Sequence, residues 1–197
     1  MTKIAILISG RGSNMEAIIN AIKNGKLNAE VCFIGSDNAD ARGLQIARGL
    51  GLITRVFSYD ESGARNSSKG KAEDYLLRAI RENNVEWLVL AGFMRVLSKD
   101  FVKQMEGRIV NIHPSLLPCF KGAHAINDAY THGVKITGVT IHLVDELVDN
   151  GRIIAQSAVE IKEDDTLESL TERIHKTEHV LYPETLSKLF TNGVKHK

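Results

Sequence analysis

Cysteine is scarce: the 197 residues contain only Cys32 and Cys119, with no CxxC pair and no histidines at ligand spacing beside either. Two thiols cannot staple a small secreted scaffold or complete a structural zinc site, so a reducing compartment is expected. An excess of charge of one sign is also missing. The 25 Lys and Arg offset 24 Asp and Glu, for a formal net charge of +1, which leaves no field to hold a nucleic-acid backbone or an anionic membrane. Any anion must therefore be bound locally. Residues 1–9 carry one lysine and a short apolar run, too brief for a signal peptide or a membrane span, so a cytoplasmic protein is the expectation. Repeats, low-complexity tracts and linker-like stretches are absent as well. What remains, 43% hydrophobic and 25% charged residues, is the composition of a folded globular chain, and its length suits a single domain over residues 1–197.

Short β-rich runs alternate with segments of helical period, the pattern of an α/β fold with an open, mostly parallel sheet and helices on both faces. Seven strands are expected, near residues 3–9, 30–35, 54–57, 87–91, 108–112, 138–144 and 153–160. A first helix from about Asn14 to Asn24 places Met15, Ile18, Ile19 and Ile22 on one stripe. Another over residues 73–84 presents Leu76, Leu77 and Ile80, and a last one from about Thr166 presents Leu170, Ile174, Leu181 and Leu186. Pro183 is expected to break or kink that last helix. The polar stretch 59–70, rich in Ser, Gly and charge, reads as a surface loop or a lid.

The first strand ends in Ser9-Gly10-Arg11-Gly12-Ser13-Asn14 and leads into a helix. Backbone N–H groups and the positive helix end converge there, which suits a phosphate. A dinucleotide fingerprint would need glycine where Met15 stands, and no Gly-Lys-Ser/Thr follows to make a P-loop. The plainer alternative is a strand-to-helix turn in which Ser13 or Asn14 caps the helix.

The fifth strand runs into Asn111-Ile112-His113-Pro114-Ser115-Leu116-Leu117-Pro118. Alternation sends Asn111 and His113 to one side, where an amide and a protonated imidazole could stabilise negative charge on a carbonyl oxygen. A strand end hydrogen-bonded to local backbone is the alternative. After the sixth strand comes the acidic segment Asp145-Glu146-Leu147-Val148-Asp149, which lies at the same sheet edge if the strands are parallel. A carboxylate from it could orient His113 and raise its pKa, although Asp149 before Asn-Gly also reads as a turn residue. His142 is either a satisfied core histidine or a support of the site. Cys119 lacks an identifiable base to make it a nucleophile, and Cys32 reads as core.

Four blocks carry a resemblance over essentially the whole chain: Gly10 to Asn14, Ala91-Gly92-Phe93-Met94-Arg95-Val96-Leu97, Asn111 to Pro118, and Gly138-Val139-Thr140-Ile141-His142 through Asp149. Together they resemble the phosphoribosylglycinamide formyltransferase family of purine synthesis. The resemblance implies a Rossmann-like formyltransferase fold, catalysis by Asn111, His113 and Asp149, and 10-formyltetrahydrofolate as cosubstrate, with no metal. It implies glycinamide ribonucleotide as acceptor, held at phosphate and ribose by Gly12, Ser13, Asn14 and Glu178. It assigns the folate to Met94, Arg95, Val96, Leu97, Asp145 and Glu146, with Lys69 nearby. A monomer or homodimer working on small molecules is expected, without nucleic acid or membrane. Two departures from the family pattern, Lys121 where proline is common and Asn150-Gly151-Arg152 after Asp149, relax loops beside the pocket.

Three rivals are weighed against this. The related enzymes that formylate initiator methionyl-tRNA carry a further C-terminal domain, which this chain is expected to lack, and a basic excess for tRNA is missing. A formyltetrahydrofolate hydrolase usually adds an N-terminal regulatory domain, whereas the first strand here begins at Lys3. A non-catalytic folate or nucleotide sensor has no need of an oxyanion site.

Overall fold

A computed structural model describes the backbone of residues 1–59 and 65–192 and the side chains of residues 1–59 and 70–192. All seven expected strands form: β1 (Thr2–Ile8), β2 (Ala29–Ser36), β3 (Thr54–Val56), β4 (Trp87–Leu90), β5 (Ile109–His113), β6 (Ile136–Leu143) and β7 (Ile153–Glu160). They make one sheet in the order β3-β2-β1-β4-β5-β6-β7. The pairs from β3 to β5 are parallel, while β6 runs antiparallel to both β5 and β7.

The helices are α1 (Ser13–Lys23), α2 (Arg42–Gly49), α3 (Arg65–Glu82), α4 (Lys99–Gln104), α5 (Ala125–His132) and α6 (Leu167–Asn192). Alternation along β1 divides the core between the two faces. Ile4, Ile6 and Ile8 point to the side covered by α1, α2 and α6, where Met15, Ile18, Leu44, Leu170, Ile174 and Tyr182 are buried. Ala5 and Leu7 point to the other side, against Leu76, Leu77 and Ile80 of α3 and Phe101 and Val102 of α4. Each fully buried aliphatic side chain contributes roughly 1.5–3 kcal/mol relative to exposure, so two filled faces fix the strand register.

The structure departs from the sequence reading in two elements. Helix α6 runs through Pro183 without a break. Buried Leu170, Ile174, Tyr182, Leu186 and Leu189 flank the proline on both sides, and Tyr182 Oη donates to the carbonyls of Leu90 (2.9 Å) and Val110 (3.1 Å). Packing to the sheet thus outweighs one lost backbone bond. Helix α3 begins at Arg65, inside the stretch read as a loop or lid; residues 60–64 lie outside the described residues. Helices α2, α4 and α5, of 8, 6 and 8 residues, are too short to show a convincing period in sequence.

Strand order reverses between β1 and β4, so the loops leaving them diverge at the carboxyl ends of parallel strands, where open α/β sheets bind ligands. Those loops are tied together. Ser9 N–H donates to the Gly92 carbonyl at 3.0 Å, and Met94 N–H donates to Ser9 Oγ at 2.8 Å.

Candidate active site

A groove of about 280 Å³ opens beside β5, floored by Asn111 and His113 and walled by the 92–97 and 144–149 segments. Val110 and Ile112 belong to the opposite core face, so the expected alternation does bring the amide and imidazole to one side. His142 on β6 pairs directly across from Asn111, and its Nε2 lies 3.2 Å from Asn111 Nδ2. His142 Nδ1 donates to the Leu143 carbonyl at 2.8 Å, which leaves its Nε2 as the acceptor for the Asn111 amide.

The acidic segment arrives by another route than a parallel strand would give. Because β6 is antiparallel to β5, Leu143 stands opposite Val110, towards the amino end of β5. Residues 144–151 then double back over the groove. The turn requires glycine at Gly151, where a Cβ would lie 1.9 Å from the Leu143 carbonyl oxygen. Asp149, at a left-handed φ of 47°, is brought to His113, with Oδ2 3.4 Å from Nδ1. Its Oδ1 stands 3.7 Å from His142 Nε2, and Gly122 N–H donates to Oδ2 at 2.8 Å. Positive φ at an aspartate beside two histidines is the kind of strained backbone that gathers at functional sites.

Burial alone would push the Asp149 carboxyl up, but the approach of His142, the Gly122 N–H and His113 hold it down at about 2. Asp149 is therefore an anion at any ordinary pH. For His113 the balance differs from the sequence expectation. Burial is the largest influence and pushes the imidazole below its usual value, outweighing the Phe120 carbonyl and the Asp149 carboxylate, which both push it up. Asp149 acts with the expected sign, yet a ring only 5% exposed loses more hydration than one carboxylate restores. His113 Nε2 donates to the Phe120 carbonyl at 2.8 Å, so Nδ1 is the nitrogen left facing Asp149.

The remaining predicted residues divide into two groups. Met94, Arg95, Val96, Leu97, Asp145 and Glu146 all line the groove. Met94 and Val96 are 67% and 59% exposed at its mouth, while Leu97 is buried. The Arg95 guanidinium is held at 2.7 Å by Asp37 and lies over the Tyr59 ring. Asp145 accepts from Leu147 N–H and the Asn150 amide within its own loop, and Glu146 reaches Lys99 and Lys103 of α4 at 3.8 and 3.7 Å. The side chain of Lys69 lies outside the described residues. Lys121 Nζ donates to Asn150 Oδ1 at 3.0 Å, so the two departures noted in sequence bond to each other and tie their loops together.

The second group stands across the Ser9–Gly92 link. Gly12 takes the N-cap position of α1 at φ 82°, and no side chain caps the helix. The alternative of a cap by Ser13 or Asn14 is not what forms, and the Asn14 side chain turns to α6 instead, its Nδ2 donating to Glu178 Oε2 at 2.9 Å. Asn14 Oδ1 is buried with no partner, and the Glu178 carboxyl, 4% exposed, is pushed up by burial to about 7 against the pull of that hydrogen bond. Uncapped helix N–H groups beside underused buried polar atoms suit a phosphate with an attached polyol.

Sequence reasoning missed the shell behind His113. Thr140 Oγ1 donates to the Ser115 carbonyl and accepts from Leu117 N–H and the Gln156 amide. Nothing in the periodicity marks these residues. Among the described residues no group of three or more His, Cys, Asp or Glu side chains is placed to hold a metal ion.

Known proteins share this fold and much of this sequence. A family model described as formyl transferase matches residues 2–186. The chain is 39% identical over 189 residues to phosphoribosylglycinamide formyltransferase of Bacillus subtilis, covering 96% of this chain and 95% of that one. It is 44% identical over 193 residues to the trifunctional purine biosynthetic protein adenosine-3 of Gallus gallus, covering 98% of this chain but 19% of that longer protein. The crystal structure of phosphoribosylglycinamide formyltransferase from Bacillus halodurans superposes with a TM-score of 0.91 at 43% identity, covering 97% and 96% of the two chains. With fold and relatives in agreement, the chain belongs to the formyl transferase family.

Proposed function

We propose that the chain, as one domain over residues 1–197, transfers the formyl group of 10-formyltetrahydrofolate to the amine of glycinamide ribonucleotide, giving formylglycinamide ribonucleotide and tetrahydrofolate. The observation that carries this reading is the meeting of Asn111, His113 and Asp149 in a groove whose end adjoins the glycine turn. The flat pterin fits between the apolar walls formed by Met94, Val96, Leu97, Leu147 and Val148. The acceptor's phosphate and ribose fit the α1 turn at Gly12, Ser13 and Asn14, with Glu178 at the hydroxyls.

In this reading the amine attacks the formyl carbon and the carbonyl oxygen becomes a tetrahedral oxyanion. Asn111 Nδ2 has one N–H engaged with His142 and a second to offer that oxygen. His113 starts neutral, because burial dominates in the open groove. The developing oxyanion adds a second negative charge next to Asp149, so the ring takes up the amine proton at Nδ1 and becomes an imidazolium between two anions. At 3.4 Å the Nδ1 to Asp149 contact is longer than a charge-assisted hydrogen bond, so that N–H remains available to the oxyanion while the ring stays on the Phe120 carbonyl. The proton then passes to the departing carrier nitrogen, and no covalent enzyme intermediate forms.

The test mixes purified protein with 10-formyltetrahydrofolate, with and without glycinamide ribonucleotide, and follows folate absorbance and formate. Absorbance change that requires the amine is expected. Formate released at the same rate without amine, or tight folate binding with no turnover, would overturn the proposal.

A further inference from the structure

His113 is controlled from behind the groove as well as from within it. Its Nε2–H is committed to the carbonyl of Phe120 at 2.8 Å, and Phe120 holds a left-handed φ of 51° that a bulky residue does not choose unaided. What holds the preceding peptide is Ser115. Its side chain is fully buried, and its Oγ donates to the Cys119 carbonyl at 2.6 Å, while Cys119 N–H returns to the Leu116 carbonyl at 3.0 Å. The same loop is anchored from the sheet by Thr140 Oγ1, to the Ser115 carbonyl and Leu117 N–H, and by Gln156 Nε2, to the Leu117 carbonyl. It ends at Gly122, whose N–H holds Asp149. One hydroxyl therefore sits at the root of the carbonyl that orients the imidazole.

Resting on the formyl-transfer reading for its kinetic arm alone, we propose that Ser115 is a positioning residue for His113: by locking the Cys119–Phe120 turn it keeps the neutral imidazole in its Nε2–H tautomer, so that Nδ1 is the atom that takes and gives the proton. The physical basis is that a fixed carbonyl acceptor at one ring nitrogen decides which nitrogen is protonated and supports the charged form. The titratable groups that face the ring are Asp149, from the loop over the groove, and His142, from β6. Asp149 at 3.4 Å pulls a proton towards Nδ1 and the Phe120 carbonyl at 2.8 Å pulls it towards Nε2, so the tautomer is set by a competition that the shorter bond wins only while the Phe120 carbonyl is held in place.

The wild-type protein is tested first, by ¹⁵N–¹H correlation spectra of histidine-labelled enzyme above the titration of His113. A protonated Nε2 and bare Nδ1 are expected. The opposite tautomer would overturn the proposal whether or not the chain turns over any substrate. The second arm is Ser115→Ala. Losing one buried neutral hydrogen bond should lower kcat about 5- to 10-fold. With the Phe120 carbonyl no longer held, the pull that raises the His113 pKa weakens, and the limb of the kcat profile assigned to His113 moves to lower pH. KM for either substrate should change by less than about twofold. A variant that is merely less well folded scales the whole profile and leaves its limb in place, and that result, or an unchanged tautomer with unchanged kcat, would refute the positioning role.

Discussion

Asp149→Asn isolates charge from shape. The replacement amide keeps an oxygen for Gly122 N–H, which now holds Oδ2 at 2.8 Å, so the doubled-back loop should survive. What disappears is the one carboxylate that faces His113 among the described residues, at 3.4 Å from Nδ1. At that separation a carboxylate and an imidazolium attract by about 5 kcal/mol at an effective dielectric of ~20. Water in the open groove screens roughly half of this, leaving on the order of 2.5 kcal/mol that the transition state loses and the neutral ground state does not. Turnover should fall on the order of 100-fold, with KM for the folate little changed. Steady-state rates by folate absorbance, with folate affinity measured by calorimetry, make the comparison. A variant within tenfold of wild type, with intact folate binding, would refute the electrostatic account. The same substitution has a stability signature. A carboxyl held at about 2, below its ordinary 3.8, contributes stability that is fully present above pH 3.8 and is lost as pH falls towards 2. Urea unfolding should show the wild type ahead of Asp149→Asn at pH 6 and level with it near pH 2.

His113→Ala should lower kcat by about 100- to 10,000-fold while folate binding persists, since the ring acts on charge that exists only during reaction; a near-wild-type rate would exclude it from proton transfer. Glu178→Gln should separate stability from binding. Its carboxyl is raised to about 7, so wild-type stability is highest below pH 4.5 and declines as pH rises to about 7. The variant should gain roughly 2–3 kcal/mol at pH 8 and nothing at pH 4 in chemical denaturation. It should also raise KM for the ribonucleotide about tenfold or more by losing a charge-assisted bond; unchanged KM would remove Glu178 from that site. Gly12→Ala places a Cβ 2.8 Å from Gly43 Cα at a φ of 82°, so a loss of about 1–3 kcal/mol in thermal or urea unfolding is expected, with weaker ribonucleotide binding. Full stability would show that the turn relaxes freely.

Much of this molecule was legible before any coordinate. Short β-rich runs located the seven strands, since a sheet buried on both faces reads as brief, nearly unbroken apolar stretches, and the stripe Met15-Ile18-Ile19-Ile22 located α1 because that helix buries one side only. Alternation along β5 also sufficed to put Asn111 and His113 on one side, since the pleat leaves no other choice. Pro183 misled because a local rule met a helix held by long-range contacts: Tyr182 spans to carbonyls 92 and 72 residues away.

The sequence by itself determined the strands, the chemistry of the side chains and the side of β5 on which two of them stand, because local sterics and hydrophobic period act over a few residues. Only the tertiary structure decided the antiparallel turn of β6, the return of Asp149 over the groove, and the burial that turns His113 below its ordinary pKa. Those depend on which distant segments displace water from a side chain, and no local pattern encodes that.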